Sequence, residues 1–221
     1  MDVKAGGNTF VWNTRYHGAE ILEGMIFWSA SFLGAKAVPG SYKVVLEKNG
    51  MTQEQSFEIL PDPRAEVTIE EMQLQFDFVS LVNATADKAH KAIKSIRILR
   101  KKLEDFEIIY KENKELSSLC ANARKLKASL IEIEKALYQT QNKSNQDPLN
   151  FPIRLTNKLG HLNELVTTND FPPTDQDEIV RKHLTYEINE KMTEYKKLIL
   201  EDLESFNKDF SKLNLDYLIL N

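Results

Sequence analysis

Four histidines, one cysteine and several neighbouring carboxylates are the residues best equipped for chemistry in this 221-residue chain. His17, His90, His161 and His183 form no pair at i, i+4 and no HExxH pattern. A zinc site would therefore need ligands converging from separate elements. Cys120 is the single cysteine, which excludes an internal disulfide and a multi-cysteine zinc site. It borders an apolar stripe, the position of a small core filler. A nucleophilic thiol would want a histidine partner or an electropositive helix start. The carboxylate neighbours are Glu70/Glu71, Glu104/Asp105, Glu132/Glu134 and Glu201/Asp202. Glycoside hydrolysis needs two such groups facing each other across a cleft. Here several have a base three or four positions away: Arg100 for Glu104, Lys101 for Asp105, Lys135 for Glu132, Lys197 for Glu201. That spacing describes solvated helix faces. Gly6-Gly7 lacks the lysine and spacing of a phosphate loop, and no G-x-S-x-G elbow occurs. The expectation is a non-enzyme without cofactor or metal.

Aromatic and polar clusters offer binding instead. Trp12, Tyr16, Phe27, Trp28 and Phe32 suit either a sugar-stacking platform or the core of a small β module. Residues 16–37 make a long connection, and long irregular loops are often functional. This connection is the expected exposed binding surface of the first part of the chain. Further along, Asp147, Asn150, Arg154 and Asn157 fit either an interaction surface or a hydrogen-bonded corner between two helices. The candidate interaction residues are thus Trp12, Tyr16, Trp28, Arg154 and Asn157.

The elements that position these residues fall into two kinds. Gly6, Gly7, Gly18, Gly24, Gly34, Gly40 and Gly50 all lie in the first 50 residues, and only Gly160 follows. Glycine supplies turn conformations, so the early part reads as turns joining short strands. Phe10-Val11-Trp12 is one expected strand. Tyr42, Val44 and Leu46 alternate along another, Asn49-Gly50 suits a type I′ turn, and Ser56-Phe57-Glu58-Ile59 returns. Three or four strands are expected, ending at Pro61-Asp62-Pro63.

Helices follow. Thr68 and Glu71 fit a capping box, and apolar residues recur every three or four positions from Ile69 to Tyr110. This predicts one helix roughly 60 Å long. Leu116 to Leu137 repeats the pattern. Pro148 and Pro152 put the start of a third helix at 150–153, and Asp170-Phe171-Pro172-Pro173 closes it. Thr174 and Asp177 cap a fourth helix whose apolar face runs to Phe210. The expected class is α+β, mainly α, with a β module over residues 1–62 and an antiparallel bundle of three or four long helices over 63–221.

Charge narrows the partners. Lys and Arg number 29 against 33 acids, a net charge of -4, without the basic excess of a nucleic-acid binder. No apolar run reaches the length of a membrane span. Residues 1–20 show no apolar h-region of a signal peptide.

Several stretches together resemble one bacterial family. They are Asn8-Thr9-Phe10-Val11-Trp12-Asn13-Thr14-Arg15-Tyr16, Val38-Pro39-Gly40-Ser41-Tyr42-Lys43-Val44, Asp62-Pro63-Arg64, Ala136-Leu137-Tyr138-Gln139-Thr140-Gln141-Asn142 and Pro173-Thr174-Asp175-Gln176. The most specific is Asp147-Pro148-Leu149-Asn150-Phe151-Pro152-Ile153-Arg154-Leu155-Thr156-Asn157-Lys158-Leu159. The chain resembles the C-terminal region of sortilin-like, BNR-repeat "glycosyl hydrolase" proteins over nearly its whole length. Asn13 stands where that family usually has aspartate. The resemblance implies a secreted or periplasmic parent with an upstream β-propeller, whose Asp-box motif does not occur here. It implies no catalytic residue in this chain. It also implies that the β module is a partial Ig-like sandwich, truncated at its start and lacking strands before Asn8. An incompletely covered sheet edge invites a homodimer through that module. The expected function is a non-catalytic accessory region, a scaffold or protein-interaction module for the propeller or another envelope protein. The alternative is a carbohydrate-binding, substrate-positioning module of a glycosyl hydrolase.

Overall fold

The computed structural model describes residues 4–212. Two strands, β1 (Gly40–Lys48) and β2 (Met51–Ile59), pair antiparallel with Tyr42 opposite Phe57 and Val44 opposite Gln55. Asn49 and Gly50 both have positive φ, 51° and 77°, as the expected type I′ turn requires. The helices are α1 (Ile69–Tyr110), α2 (Ser117–Leu137), α3 (Leu155–Val166), α4 (Asp175–Lys197) and α5 (Glu204–Ser211). A π-helical stretch, Leu198–Leu203, joins the last two into one rod. The protein is therefore mainly helical with a small antiparallel sheet. No helix among the described residues is long and apolar enough to cross a membrane.

Local chemistry sets the helix limits. Thr68 accepts a hydrogen bond from the Glu71 N–H while the Glu71 carboxylate accepts from the Thr68 N–H. Thr174 and Asp177 repeat the device at α4. Two reciprocal bonds satisfy two of the four orphan donors at each helix start. The third helix begins at Leu155, later than the expected 150–153. Asp147–Leu149 turns as a short 3-10 helix instead, and the residue before Pro152 is barred from helical geometry.

Helix α1 is the axis of the molecule and packs against α2, α3 and α4. Val82, Ala86, Ala89, Ile93, Ile96, Leu99 and Leu103 along it are fully buried. Each large aliphatic side chain so buried contributes about 1.5–3 kcal/mol. The apolar face of the last rod contains one long step, five residues from Leu198 to Leu203. The π-helical stretch absorbs that extra residue and keeps both leucines buried. It also lays Phe206 and Phe210 against Phe106, with ring centroids 5.7 and 5.4 Å apart. Between α1 and α2, buried Glu134 accepts from Arg97 at 2.8 Å and from Arg100.

The first forty residues depart from expectation. Phe10, Val11 and Trp12 form no strand, and the described sheet has two strands where three or four were expected. Phe10 and Val11 are exposed. Three alternating residues cannot hold a strand without an edge to pair with. Trp12 instead lies across the base of the hairpin. Its indole N–H donates to the Arg15 carbonyl at 2.8 Å, and its ring sits 5.9 Å from Tyr42. Residues 16–37 are not a free-standing loop, although their outer face, with Tyr16, Ile21, Trp28 and Leu33, is exposed. They form a strap laid along the helices, and Phe32 and Ala35 join the same apolar cluster as Val79, Ile93 and Leu159. The apolar core thus runs across the boundary expected at residue 62.

Candidate functional site

The strap and the helical face beneath it form the most organised polar constellation in the structure. On α1, Phe76, Asn83, His90 and Arg97 stand seven residues apart and share one face. Each meets the strap or its neighbours. Phe76 packs edge-on to Tyr16 at 4.9 Å. Asn83 accepts from the Ala19 N–H at 2.8 Å and donates to the Leu33 carbonyl at 3.1 Å. His90 bonds the Glu20 carbonyl at 2.6 Å. Arg97 lies over the Tyr138 ring, whose hydroxyl accepts from the Ile26 N–H at 2.8 Å.

Helix α3 supplies the opposite side. Asn157 takes both polar groups of Trp28, accepting from its N–H and donating to its carbonyl, each at 2.8 Å. His161 bonds the Ser29 carbonyl at 2.7 Å, and Asn163 donates to Ser31 and Leu33 carbonyls. The Ser31 N–H donates to the Gly160 carbonyl at 3.0 Å. These side chains perform the role of a neighbouring strand. They satisfy main-chain groups of a part-buried segment, each of which would cost up to about 1–3 kcal/mol if left unpaired away from water.

Close approach explains two glycine positions. A Cβ on Gly34 would collide with the Tyr16 carbonyl, where the two limbs of the strap cross. A Cβ on Gly160 would fall 2.6 Å from the Phe32 ring, so α3 can accept that ring only as glycine. Phe32 in turn sits edge-on to His90 at 5.0 Å and to Phe27 at 4.9 Å.

Outside the strap, between its limbs and α1, lies an open groove of about 1070 Å³ lined by Arg15, Tyr16, His17, Glu20, Asp87 and Lys91 among others. The Lys91 ammonium beside Asp87 holds that carboxyl below its ordinary range. Burial pushes the His90 imidazole down, against the favourable Glu20 carbonyl and Asp87 charge. Among the described residues, no group of three or more His, Cys, Asp or Glu is arranged to hold a metal ion. Cys120 is buried in the α2 stripe with its thiol 3.8 Å from the Tyr110 carbonyl.

The five candidate residues are spread over the molecule. Trp28 and Asn157 meet, though through Trp28's backbone rather than its ring; the residue is 40% exposed. Tyr16, half exposed, stands at the far end of the strap. Trp12 belongs to the hairpin base, and no ring contact joins it to Trp28 among the described residues. Arg154 lines a separate groove with Lys158, Tyr186 and Lys191. The corner between α2 and α3 is built by other residues than expected. Gln139 donates to the Pro152 carbonyl at 2.9 Å, and Thr156 to the Leu137 carbonyl at 2.9 Å. Asp147 serves the local loop, accepting from Lys143 and Ser144 N–H groups. Asn83 and Asn163 were not singled out from sequence, and His90 entered only as one of four histidines without a metal-ligand spacing. Their signal was a polar residue interrupting an apolar helical stripe.

Compared with protein-family models, curated proteins and solved structures, the chain matches none.

Proposed function

We propose that this chain is a non-catalytic accessory region, a protein-interaction scaffold of the kind implied by its resemblance to the C-terminal region of sortilin-like, BNR-repeat proteins. The parent would be extracytoplasmic, and the partner the upstream β-propeller or another envelope protein. One observation carries this reading. The β1–β2 hairpin stands out with Val44, Leu46 and Phe57 53%, 64% and 39% exposed on one face. Its base is firm: Trp12, Tyr42 and Phe57 pack together, and the Tyr42 hydroxyl donates to the Val38 carbonyl at 2.7 Å. An isolated two-stranded hairpin is marginal in water, and it gains most from a further strand that covers its apolar face or pairs with its edge. An Ig-like module completed by strands from the partner, or by a second copy in a homodimer, would do both. The strap, by contrast, already fills the helical face. The carbohydrate-binding alternative loses support because Trp12 is engaged in the hairpin base and does not pair with Trp28.

The test is calorimetric titration of the chain with the β-propeller region of a sortilin-like BNR-repeat protein, with sedimentation velocity of the chain alone. Binding or self-association that disappears in a Val44→Lys/Leu46→Lys variant supports the reading. A monomer that gives no heat with the propeller overturns it.

A further inference from the structure

His90 is fully buried beneath the strap, at the point where strap and α1 meet. Its Nδ1 lies 2.6 Å from the Glu20 carbonyl. A carbonyl can only accept, so the proton resides on Nδ1 and Nε2 carries the lone pair. That Nε2 is itself buried and has no hydrogen-bond partner among the described residues. The imidazole is enclosed by Phe32 and Phe27, ring centroids 5.0 and 5.7 Å away, both from the strap. The charged groups facing it come from each packed element. Glu20 of the strap and Asp87 of α1 favour a second proton, and Arg97 of α1 opposes it. Arg97 is drawn to Glu134 of α2, and Tyr138, beyond the end of α2, packs on Phe27. Helix α3 contributes Gly160 under Phe32.

We propose that His90 is an acid-sensitive latch: protonation of its Nε2 in this aromatic enclosure releases residues 19–35 from α1 and α3 while the helices stay assembled. A new N–H at that position finds no acceptor, and a cation is introduced where water is excluded. Opening the strap cures both faults at once by admitting water. The helical core does not depend on the strap in the same way. The stretch of α1 from Ile96 to Phe106 packs on α2 and on the rod of α4 and α5.

The sign follows from burial, which outweighs the neighbouring carboxylates and holds the closed-state imidazole below its ordinary value. The open state takes up a proton at the ordinary histidine value of about 6.5. The closed strap is therefore fully favoured above that value and loses ground as pH falls through it toward the closed-state value. His161 meets the strap differently: its bond to the Ser29 carbonyl is solvent-accessible and lies outside the aromatic enclosure of His90.

Amide hydrogen exchange of the full chain, expressed as protection factors at about pH 7.5 and about pH 5, tests the latch. Protection of residues 19–35 is expected to fall at the lower pH by up to about thirtyfold, the ceiling set by an open-state value of about 6.5 that lies about 1.5 units above pH 5. Residues 96–106 hold theirs. His90→Asn, whose amide can still donate to Glu20 but cannot titrate, removes this pH dependence, whereas His161→Gln keeps it. Should His90→Asn not fold, NMR titration of the unaltered chain decides. His90 then keeps the neutral Nδ1–H form below the ordinary histidine value of about 6.5, and strap resonances broaden as it titrates. Equal protection at both pH values, loss that persists in His90→Asn, or a protonated His90 beneath a still-protected strap each overturns the proposal.

Discussion

Asn157 on α3 holds both main-chain polar groups of Trp28, 129 residues away, through one side-chain amide with two 2.8 Å hydrogen bonds. A carboxamide presents one donor and one acceptor in a plane, the same pair that an adjacent β-strand would offer. The helical face thus binds an extended segment of its own chain by backbone geometry, with Asn83 and Asn163 repeating parts of the contact. This makes the strap a structural member and leaves the hairpin as the unpartnered feature.

Asn157→Ala leaves a Trp28 N–H and carbonyl without partners in a part-buried setting. The expected loss is about 2–3 kcal/mol of unfolding free energy, since each unpaired group costs about 1–3 kcal/mol when buried. Urea unfolding measures it. Asn157→Asp, which keeps the acceptor but sets a buried carboxylate oxygen against the Trp28 carbonyl, should fall at least as low as alanine. A loss below a few tenths would mean that water replaces Asn157 and that the strap is loosely held.

Gly160→Ala tests whether packing or propensity wins on α3. Alanine favours a helix over glycine by about 1 kcal/mol. Its Cβ would sit 2.6 Å from the Phe32 ring, which is buried, edge-on to both Phe27 and His90, and has no room to yield. Overpacking of this kind costs about 1–3 kcal/mol, so a net destabilisation is expected. Adding Phe32→Leu in the same chain should recover part of it, and a double-mutant cycle reads the coupling.

The Glu134 cluster predicts an asymmetry. Glu134 is 2% exposed, while Arg97 and Arg100 keep about a third of their side chains in water, 36% and 34%. Glu134→Gln leaves two arginines that can turn to solvent, at an expected cost of about 1–2 kcal/mol. Arg97→Ala/Arg100→Ala strands a buried carboxylate, which costs about 3–5 kcal/mol. Thermal unfolding at neutral pH should rank the double variant clearly below the single one.

Asp62 and Arg64 make a local pair at the exit from the hairpin. Hydrogen bonds from the Arg64 guanidinium and backbone N–H hold the Asp62 carboxyl down at about 2. A carboxylate depressed in the folded state adds stability that is present above its unfolded value and lost as pH falls toward the folded one. The pair is solvent-exposed, so the effect on global stability is small. The site itself is readable: carbon-detected NMR should show Asp62 titrating near about 2, and Arg64→Ala should return it toward the ordinary range. An unshifted Asp62 in the unaltered chain contradicts the pair.

What the amino-acid sequence determined by itself was decided within about four residues of chain, the start of α3 after Pro152 excepted. The capping boxes at Thr68 and Thr174, the Asn49-Gly50 turn and the span of α1 all appear where local pattern put them. Each arises from hydrogen bonds or φ preferences among near neighbours, and helical periodicity repeats often enough along α1 to exceed chance. Tertiary structure alone decided the path of residues 16–37 and the meaning of Asn157. A segment that satisfies its backbone with distant side chains carries no period of its own, because regularity comes from bonding to itself or to a strand. The same lack of a partner leaves Phe10-Val11-Trp12 outside the sheet: three alternating residues encode a preference for extension, and only an available edge turns that preference into a strand.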